Sequence, residues 1–281
     1  MISRCAMIVC SSILMAGVAH AEHKLLITDL LDKGQLEAEA TSGYGFSVYN
    51  FSGRAPYTQR GEAVHRATFT DLALDLGVGH DLQVGISLPY IYSDRVRLSY
   101  SNPPNTTDHY RTEGWGDITL SAKYRLLGDD KPFTLVAGLD LKLDTANADK
   151  EGSGTTDYAP YLAASTVTGN GKLRPYAFYR AIIRNHDAID THMLGIGAEY
   201  APYKRLSLVP FIITRFHTSS TSIEAYESFQ LGVSNYIQII RSCYLIPSAS
   251  YNISSTIRTT GNTINDLRGY SLNLGLYYLF N

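Results

Sequence analysis

Cysteine is almost missing from this chain. Two of its three copies, Cys5 and Cys10, fall within the first ten residues, and only Cys243 remains beyond them. A lone cysteine excludes an internal disulfide, and no Cys/His spacing fits a zinc site. Past the first twenty residues there is also no long uncharged apolar run, which excludes a helical membrane protein. Neither sign of charge dominates: 24 Lys and Arg against 26 Asp and Glu give a net charge of −2, no basis for a nucleic-acid partner. A phosphate-binding loop is absent too, since Gly152-Ser153-Gly154 is not followed by Lys and Ser or Thr. No cofactor and no metal are expected.

What is present starts with residues 1–21, which read as a cleaved Sec signal peptide. Arg4 supplies the positive start, Ala6 to Val18 the apolar stretch, and Ala19-His20-Ala21 the small-residue cleavage site. The apolar run is shorter than the roughly 20 residues of a spanning helix. No lipobox cysteine follows, so an exported, unlipidated protein is expected.

The remainder is rich in tyrosine and glycine and alternates apolar and polar residues almost from end to end. Between Gly114 and Thr145, Ile118, Leu120, Ala122, Tyr124 and Leu126, then Phe133, Leu135, Ala137, Leu139, Leu141 and Leu143, take one parity. Asp117, Lys123, Arg125, Asp140, Lys142 and Asp144 take the other. The same rhythm sets Leu36, Ala38 and Ala40 against Glu37 and Glu39, and Leu72, Leu74 and Leu76 against Asp71 and Asp75. Near the end, Leu272, Leu274 and Leu276 oppose Ser271, Asn273 and Gly275. Short turns near residues 79–81, 128–131, 169–171, 202–204 and 240–242 alternate with longer polar loops at 52–62, 101–113, 146–157, 185–190, 219–224 and 255–267. Eleven connections join about twelve strands, with ten or fourteen also compatible.

This pattern predicts an all-β fold: an antiparallel up-and-down transmembrane β-barrel of about 12 strands in the outer membrane of a Gram-negative bacterium. In hydrocarbon every backbone N–H and C=O needs an internal partner, which a closed sheet provides. One face then meets lipid and the other a lumen that tolerates charge. Residues 35–281 are assigned to the barrel and 22–34 to an N-terminal periplasmic or plug segment. Within the latter, Leu26, Ile27, Leu30 and Leu31 have helical spacing and Gly34 suits a C-cap. A short periplasmic helix, a plug and a frayed leader are the alternatives, and the loose leader is preferred because chain ends fray.

Parity places Glu37, Glu39, Asp71, Asp75, Asp117, Lys123, Arg125, Asp140, Lys142, Arg174, Arg180, Arg184, Glu199 and Arg215 on the lumen, with Asp144 beside them. Arg174, Arg180 and Arg184 share a face with Tyr176 and Phe178. They form either a basic and aromatic track for a solute or a network of ion pairs stiffening the wall, and the near balance of charge favours the network. Tyr90, Tyr92, Tyr100, Tyr200, Tyr277 and Tyr278 near strand ends are expected in interfacial girdles, and Trp115 at the outer rim. The final stretch, with Tyr278 and Phe280, reads as a signal to the barrel-insertion machinery. Acyl transfer needs a nucleophile and an oriented histidine. His217, near Ser219 and Ser220, is the best candidate, but no motif surrounds it. An enzyme is not expected.

The Gly114 to Thr145 hairpin also resembles the outer-membrane family of the MetA pathway of phenol degradation, often called transporters. The resemblance rests on Gly114, Gly116 and Asp117, the Lys123-Tyr124-Arg125 stretch, and Lys142, Leu143 and Thr145. Asp144 and Ala146 stand where that family has proline and glycine. The resemblance implies passive passage of small hydrophobic or aromatic compounds, with no nucleotide motif or large plug domain to couple energy. The partners expected are the bilayer and its lipopolysaccharide, the insertion machinery and small solutes. A closed structural or adhesive barrel is the alternative, and a lipid-modifying barrel enzyme the third.

Overall fold

The computed structural model describes residues 25–53, 59–102, 104–128, 133–146, 154–168, 171–185 and 188–280. The expected signal peptide, and the turn residues 129–131 and 169–170, lie outside them. Strands β1 (Leu36–Gly53), β2 (Arg60–Gly77), β3 (Leu82–Asn102), β4 (Pro104–Trp115), β5 (Thr119–Leu127), β6 (Phe133–Lys142) and β7 (Asp157–Thr166) form the first half. They are followed by β8 (Leu173–Arg184), β9 (Thr191–Tyr203), β10 (Leu206–His217), β11 (Tyr226–Ile240), β12 (Cys243–Ser254), β13 (Ile257–Arg258) and β14 (Asn262–Phe280). Each wall strand pairs antiparallel with its neighbour, β3 passing directly to β5 and β12 to β14. Then β14 returns to β1, from Leu36↔Phe280 to Gly53↔Asn262. The sheet is therefore closed, with 12 strands in its wall.

The two remaining strands are outgrowths. β4 folds back on the outer half of β3, and β13 on the outer half of β14. The polar stretch expected as a loop at 101–113 is thus largely the return arm of a protruding hairpin. Its own alternation gives the reason: His109, Arg111, Glu113 and Trp115 are all exposed and lie on one face. Both chain ends and the short turns share one end of the barrel. Lys204 and Arg205 alone link β9 to β10, and Arg241 and Ser242 link β11 to β12.

Period-2 alternation sorts the wall. β7 is the clearest case: Asp157, Ala159, Tyr161, Ala163 and Ser165 point inward and are buried, while Tyr158, Pro160 and Leu162 point out. Around the barrel Leu72, Leu74, Ile86, Leu139, Leu194, Leu231, Leu272 and Leu274 expose 43–54% of their surface, forming a continuous aliphatic belt. Water would disfavour such a surface, and hydrocarbon accommodates it. Aromatic residues collar it. Tyr90 meets Trp115 edge-on at 4.9 Å, and Tyr278 meets Phe280 in the same way at 4.5 Å. Tyr200 is exposed near the end of β9, and Tyr92 is exposed midway along β3, which runs on past its expected end.

Two tyrosines depart from the girdle. Tyr277 has the inward parity of β14 and is 1% exposed, with its hydroxyl donating to Glu37 at 2.8 Å. Tyr100 packs edge-on against Phe51 in the outer extension, and its hydroxyl donates to Asp108 at 2.9 Å. For Tyr277 parity prevails over its position near the strand end, and for Tyr100 the strand runs on past the expected loop start at 101.

Candidate functional site in the barrel lumen

The end of the lumen nearest the chain termini is filled by residues 25–35. Leu26, Leu30 and Leu31 are at most 3% exposed. Leu26 and Leu31 pack with Val209, Tyr236, Tyr244, Tyr277 and Leu279 from the inner wall. This corrects the loose-leader expectation: the apolar residues that suggested a helix are used to fill the barrel. The segment is a series of turns rather than a helix. Within it Asp29 N–H donates to Leu26 O at 2.8 Å, and Leu26 N–H to the Asp29 carboxylate at 2.9 Å.

Polar contacts lock the segment in place. Lys123 Nζ donates to Asp29 O at 2.6 Å, and Arg174 reaches the Asp29 carboxylate. Leu31 N–H donates to Gln83 Oε1 at 3.0 Å, and Thr28 Oγ1 to Ser165 Oγ at 2.9 Å. Gly34 and Gly77 exchange main-chain bonds with the joint between segment and barrel, Gly34 N–H to Gly77 O and Gly77 N–H to Gln35 O. Main-chain groups buried inside a barrel need such partners, and the N–H groups of Leu26, Asp29, Leu31 and Gly34 each have one.

Next to this segment lies a charged cavity of about 220 Å³, bordered by Glu37, Glu39, Asp75, Lys123, Asp140 and Tyr161 among others. Glu39 accepts from Thr41 at 2.6 Å, and Asp75 from Gln83 at 3.1 Å. Asp71 lies on the same inner parity, across from Thr41 and Pro89. Arg180 pairs with Asp140 at 2.7 Å and sits over the Tyr161 ring at 5.0 Å.

The other predicted residues form separate pairs. Arg174 also approaches Glu199 at 3.9 Å, and Arg184 bonds Asp157 at 3.3 Å. Lys142 bridges Asp157 at 3.1 Å and Asp117 at 3.6 Å, and Arg215 donates to Gln230 at 2.5 Å. Arg125 faces Asp81 in the first turn at 3.7 Å. All three arginines of β8 therefore contact carboxylates, which is the network arrangement rather than an unpaired basic track.

Five inward aromatic rings lie flat against the wall over glycines on the adjoining strand. The pairs are Phe69 with Gly43, Tyr161 with Gly138, Tyr176 with Gly197, Phe178 with Gly195, and Phe211 with Gly232. Each pair stands in direct register. A β-carbon on Gly138 would fall inside the Tyr161 ring, so the glycine makes the flat position possible. This cross-strand complementarity was not read from the sequence. Its signal was there, as a glycine facing an aromatic once each hairpin is folded on its turn.

Towards the far end lies a second cavity of about 340 Å³, between β1, β2, β10, β11, β12 and β14. His217 stacks on Tyr226 at 4.1 Å, with His65, Ser228 and Ser271 nearby. His65 bonds Asp94 at 2.5 Å. Ser219 and Ser220 are not the partners of His217; Thr191 meets its Nδ1 at 3.0 Å and Ser228 its Nε2 at 3.2 Å. A hydroxyl thus stands where a triad would place its orienting carboxylate.

The motif behind the family resemblance proves to be a clasp. Asp117 accepts from Thr145 N–H at 3.1 Å and Ala146 N–H at 3.0 Å, while Thr145 Oγ1 accepts from Ile118 N–H at 2.9 Å. Gly116 N–H donates to Pro89 O at 2.8 Å. These residues tie the outer ends of β5 and β6 to the middle of β3.

The whole arrangement is similar to a solved outer membrane channel from Pseudomonas putida F1. The TM-score is 0.67 at 15% identity, covering 92% of this chain and 100% of that one. The fold is that of an outer-membrane β-barrel. The KdgM porin is similar at a TM-score of 0.50 and 12% identity, over 84% of this chain and 99% of its own. That porin has also been solved with disordered oligogalacturonate. At these identities the likeness shows the fold alone. No family model matches the chain, and no curated protein matches it.

Proposed function

We infer that the protein is an outer-membrane channel for passive passage of small hydrophobic or aromatic compounds, in keeping with its resemblance to the phenol-degradation family. The observation that carries this reading is the set of five aromatic rings held flat on the inner wall by glycines. Flat rings offer π-faces and apolar area to a passing ring while occupying little of the bore. The far cavity, with His217 stacked on Tyr226, lies within the roughly 300–1,000 Å³ typical of small-molecule sites. The basic residues Lys142, Arg174, Arg180 and Arg184 are held by carboxylates, so they shape the path rather than form a free basic track.

In this scheme residues 1–21 are a cleaved signal peptide, 22–34 form the lumenal segment, and 35–281 the barrel. Tyr278 and Phe280 address the insertion machinery. The fourteen charged residues named from the sequence line the path, Arg180 with Asp140, Arg174 with Glu199 and Lys142 with Asp117 pairing among themselves. The apolar cluster around Leu26 and Leu31 specifically favours a second reading, a closed barrel whose outer loops do the work. Replacing Phe178 and Phe211 by Ala separates the two. For a channel, entry of phenol-like solutes into proteoliposomes changes at least several-fold relative to small ions. For a closed barrel, solute entry equals that of protein-free vesicles before and after substitution.

A further inference from the structure

Above the aromatic collar, the outward face of the sheet carries rows of arginine. Arg66 on β2 stands directly opposite Arg95 on β3, and Arg95 directly opposite Arg111 on β4. One step further out, Arg97 is aligned with His109, and Arg268 on β14 with Val48 on β1. These side chains are exposed. They face outward because Arg66 has the parity of Leu72, Leu74 and Leu76 on an unbroken β2, and its register with β1 carries no shift. Like charges opposite one another across strands are destabilising, and here three stand in a line.

Few acids offset them locally. Glu113 pairs with Arg111 at 2.6 Å and Glu224 with Arg258 at 3.4 Å, while Glu62 and Asp266 are further exposed carboxylates at this end. Among the described residues no carboxylate pairs with Arg66, Arg95, Arg97 or Arg268. Arg66 instead leans over the Phe46 ring at 5.9 Å, and Phe46 stacks on Tyr270 at 5.1 Å. The guanidinium groups therefore sit just beyond the aromatic layer, at the depth where lipid headgroups lie.

We propose that this face binds the phosphate groups of the phosphorylated glycolipid that forms the outer leaflet. Arginine suits the role because its planar fork donates two parallel bonds to one phosphate. The neighbouring forks of Arg66, Arg95 and Arg97, none of them paired with a carboxylate among the described residues, match a headgroup bearing more than one phosphate better than they match a single phosphodiester. The assignment rests on the reading of the aliphatic belt as the membrane-spanning zone, with the β3–β4 hairpin on the outside.

The test is lipid binding by the full barrel in nanodiscs. Bisphosphorylated lipid A, its dephosphorylated form and phosphatidylglycerol are compared by native mass spectrometry of retained lipid. The wild type is expected to retain the bisphosphorylated form in preference to both others. The Arg66→Gln/Arg95→Gln/Arg97→Gln variant should lose about tenfold or more of that binding, at roughly tenfold in affinity for each 1.4 kcal/mol of lost phosphate contact. Lys204→Gln/Arg205→Gln, at the opposite end of the barrel, should match the wild type. Equal retention of phosphatidylglycerol, or an unchanged triple variant that is folded by its heat-dependent gel shift, overturns the proposal. Failure of the underlying membrane reading shows separately, as absence of the wild type from the outer-membrane fraction of the cell.

Discussion

Lys123, on the inner wall of β5, donates its ammonium to the main-chain carbonyl of Asp29 at 2.6 Å, while Arg174 from β8 holds the carboxylate of the same residue. One residue of the N-terminal segment is thereby fixed from two sides of the barrel. Removing the Asp29 carboxylate leaves Arg174 with Glu199 alone and frees Leu26 N–H. Asp29→Ala is expected to weaken the docking of residues 25–35 and raise conductance in planar bilayers several-fold, with longer open events. Lys123→Met should act in the same direction. Unchanged conductance in both variants would mean that the apolar contacts of Leu26 and Leu31 hold the segment without help.

The flat ring of Tyr161 gives a second prediction. Gly138→Val places a branched side chain where the ring lies, and overpacking of this kind costs about 1–3 kcal/mol. The variant should fold in lower yield, and Tyr161→Ala added to it should restore much of the loss. A non-additive double variant, read by the heat-dependent gel shift, is the signature. Simple additivity would sever the link between the two positions.

The lipid-facing assignment predicts strong asymmetry between neighbours. Leu74, half-exposed on the belt, should tolerate Arg poorly, at a cost of about 2–4 kcal/mol if it lies near the midplane. Ser248, of inward parity and bonded to Asn273 at 3.2 Å, should tolerate Arg with about 1 kcal/mol or less. Folding titrations into lipid vesicles measure both. Equal costs would contradict the inward and outward assignment.

His217 is the residue whose chemistry is most easily overread. Its Ser228 contact looks like half of a dyad, yet Nδ1 faces the Thr191 hydroxyl and the ring is stacked on Tyr226. His217→Ala is expected to leave the lipid A and phospholipid profiles of cells unaltered while changing aromatic solute passage. A change in acylation pattern would reopen the enzymatic reading.

Much of the architecture was legible because lipid enforces a strict rule. Wherever Leu72, Leu74 and Leu76 alternate with Asp71 and Asp75, only one face can meet hydrocarbon, so parity and strand count follow from the sequence. Tyr277 shows the limit of judging by position alone: near the chain end it looked interfacial, yet its odd parity sends it to Glu37. The N-terminal segment was misjudged because Leu26 and Leu31 fit a surface helix as well as a lumen filling, and the choice depends on Val209 and Tyr236, more than 170 residues away. The partners of the β8 arginines, Asp29, Asp140 and Asp157, come from three different elements. Such pairings arise from barrel closure, which no local pattern encodes.

The central claim is passage of aromatic solutes through the barrel. It is tested most directly by refolding the full chain into liposomes and following entry of phenol-like compounds beside hydrophilic neutral solutes and ions of similar size. Faster entry of the aromatics than in protein-free vesicles, exceeding any gain for the hydrophilic set, is the predicted result. Entry no faster than in empty vesicles for every solute, with the barrel folded and Asp29→Ala equally silent, would contradict the account.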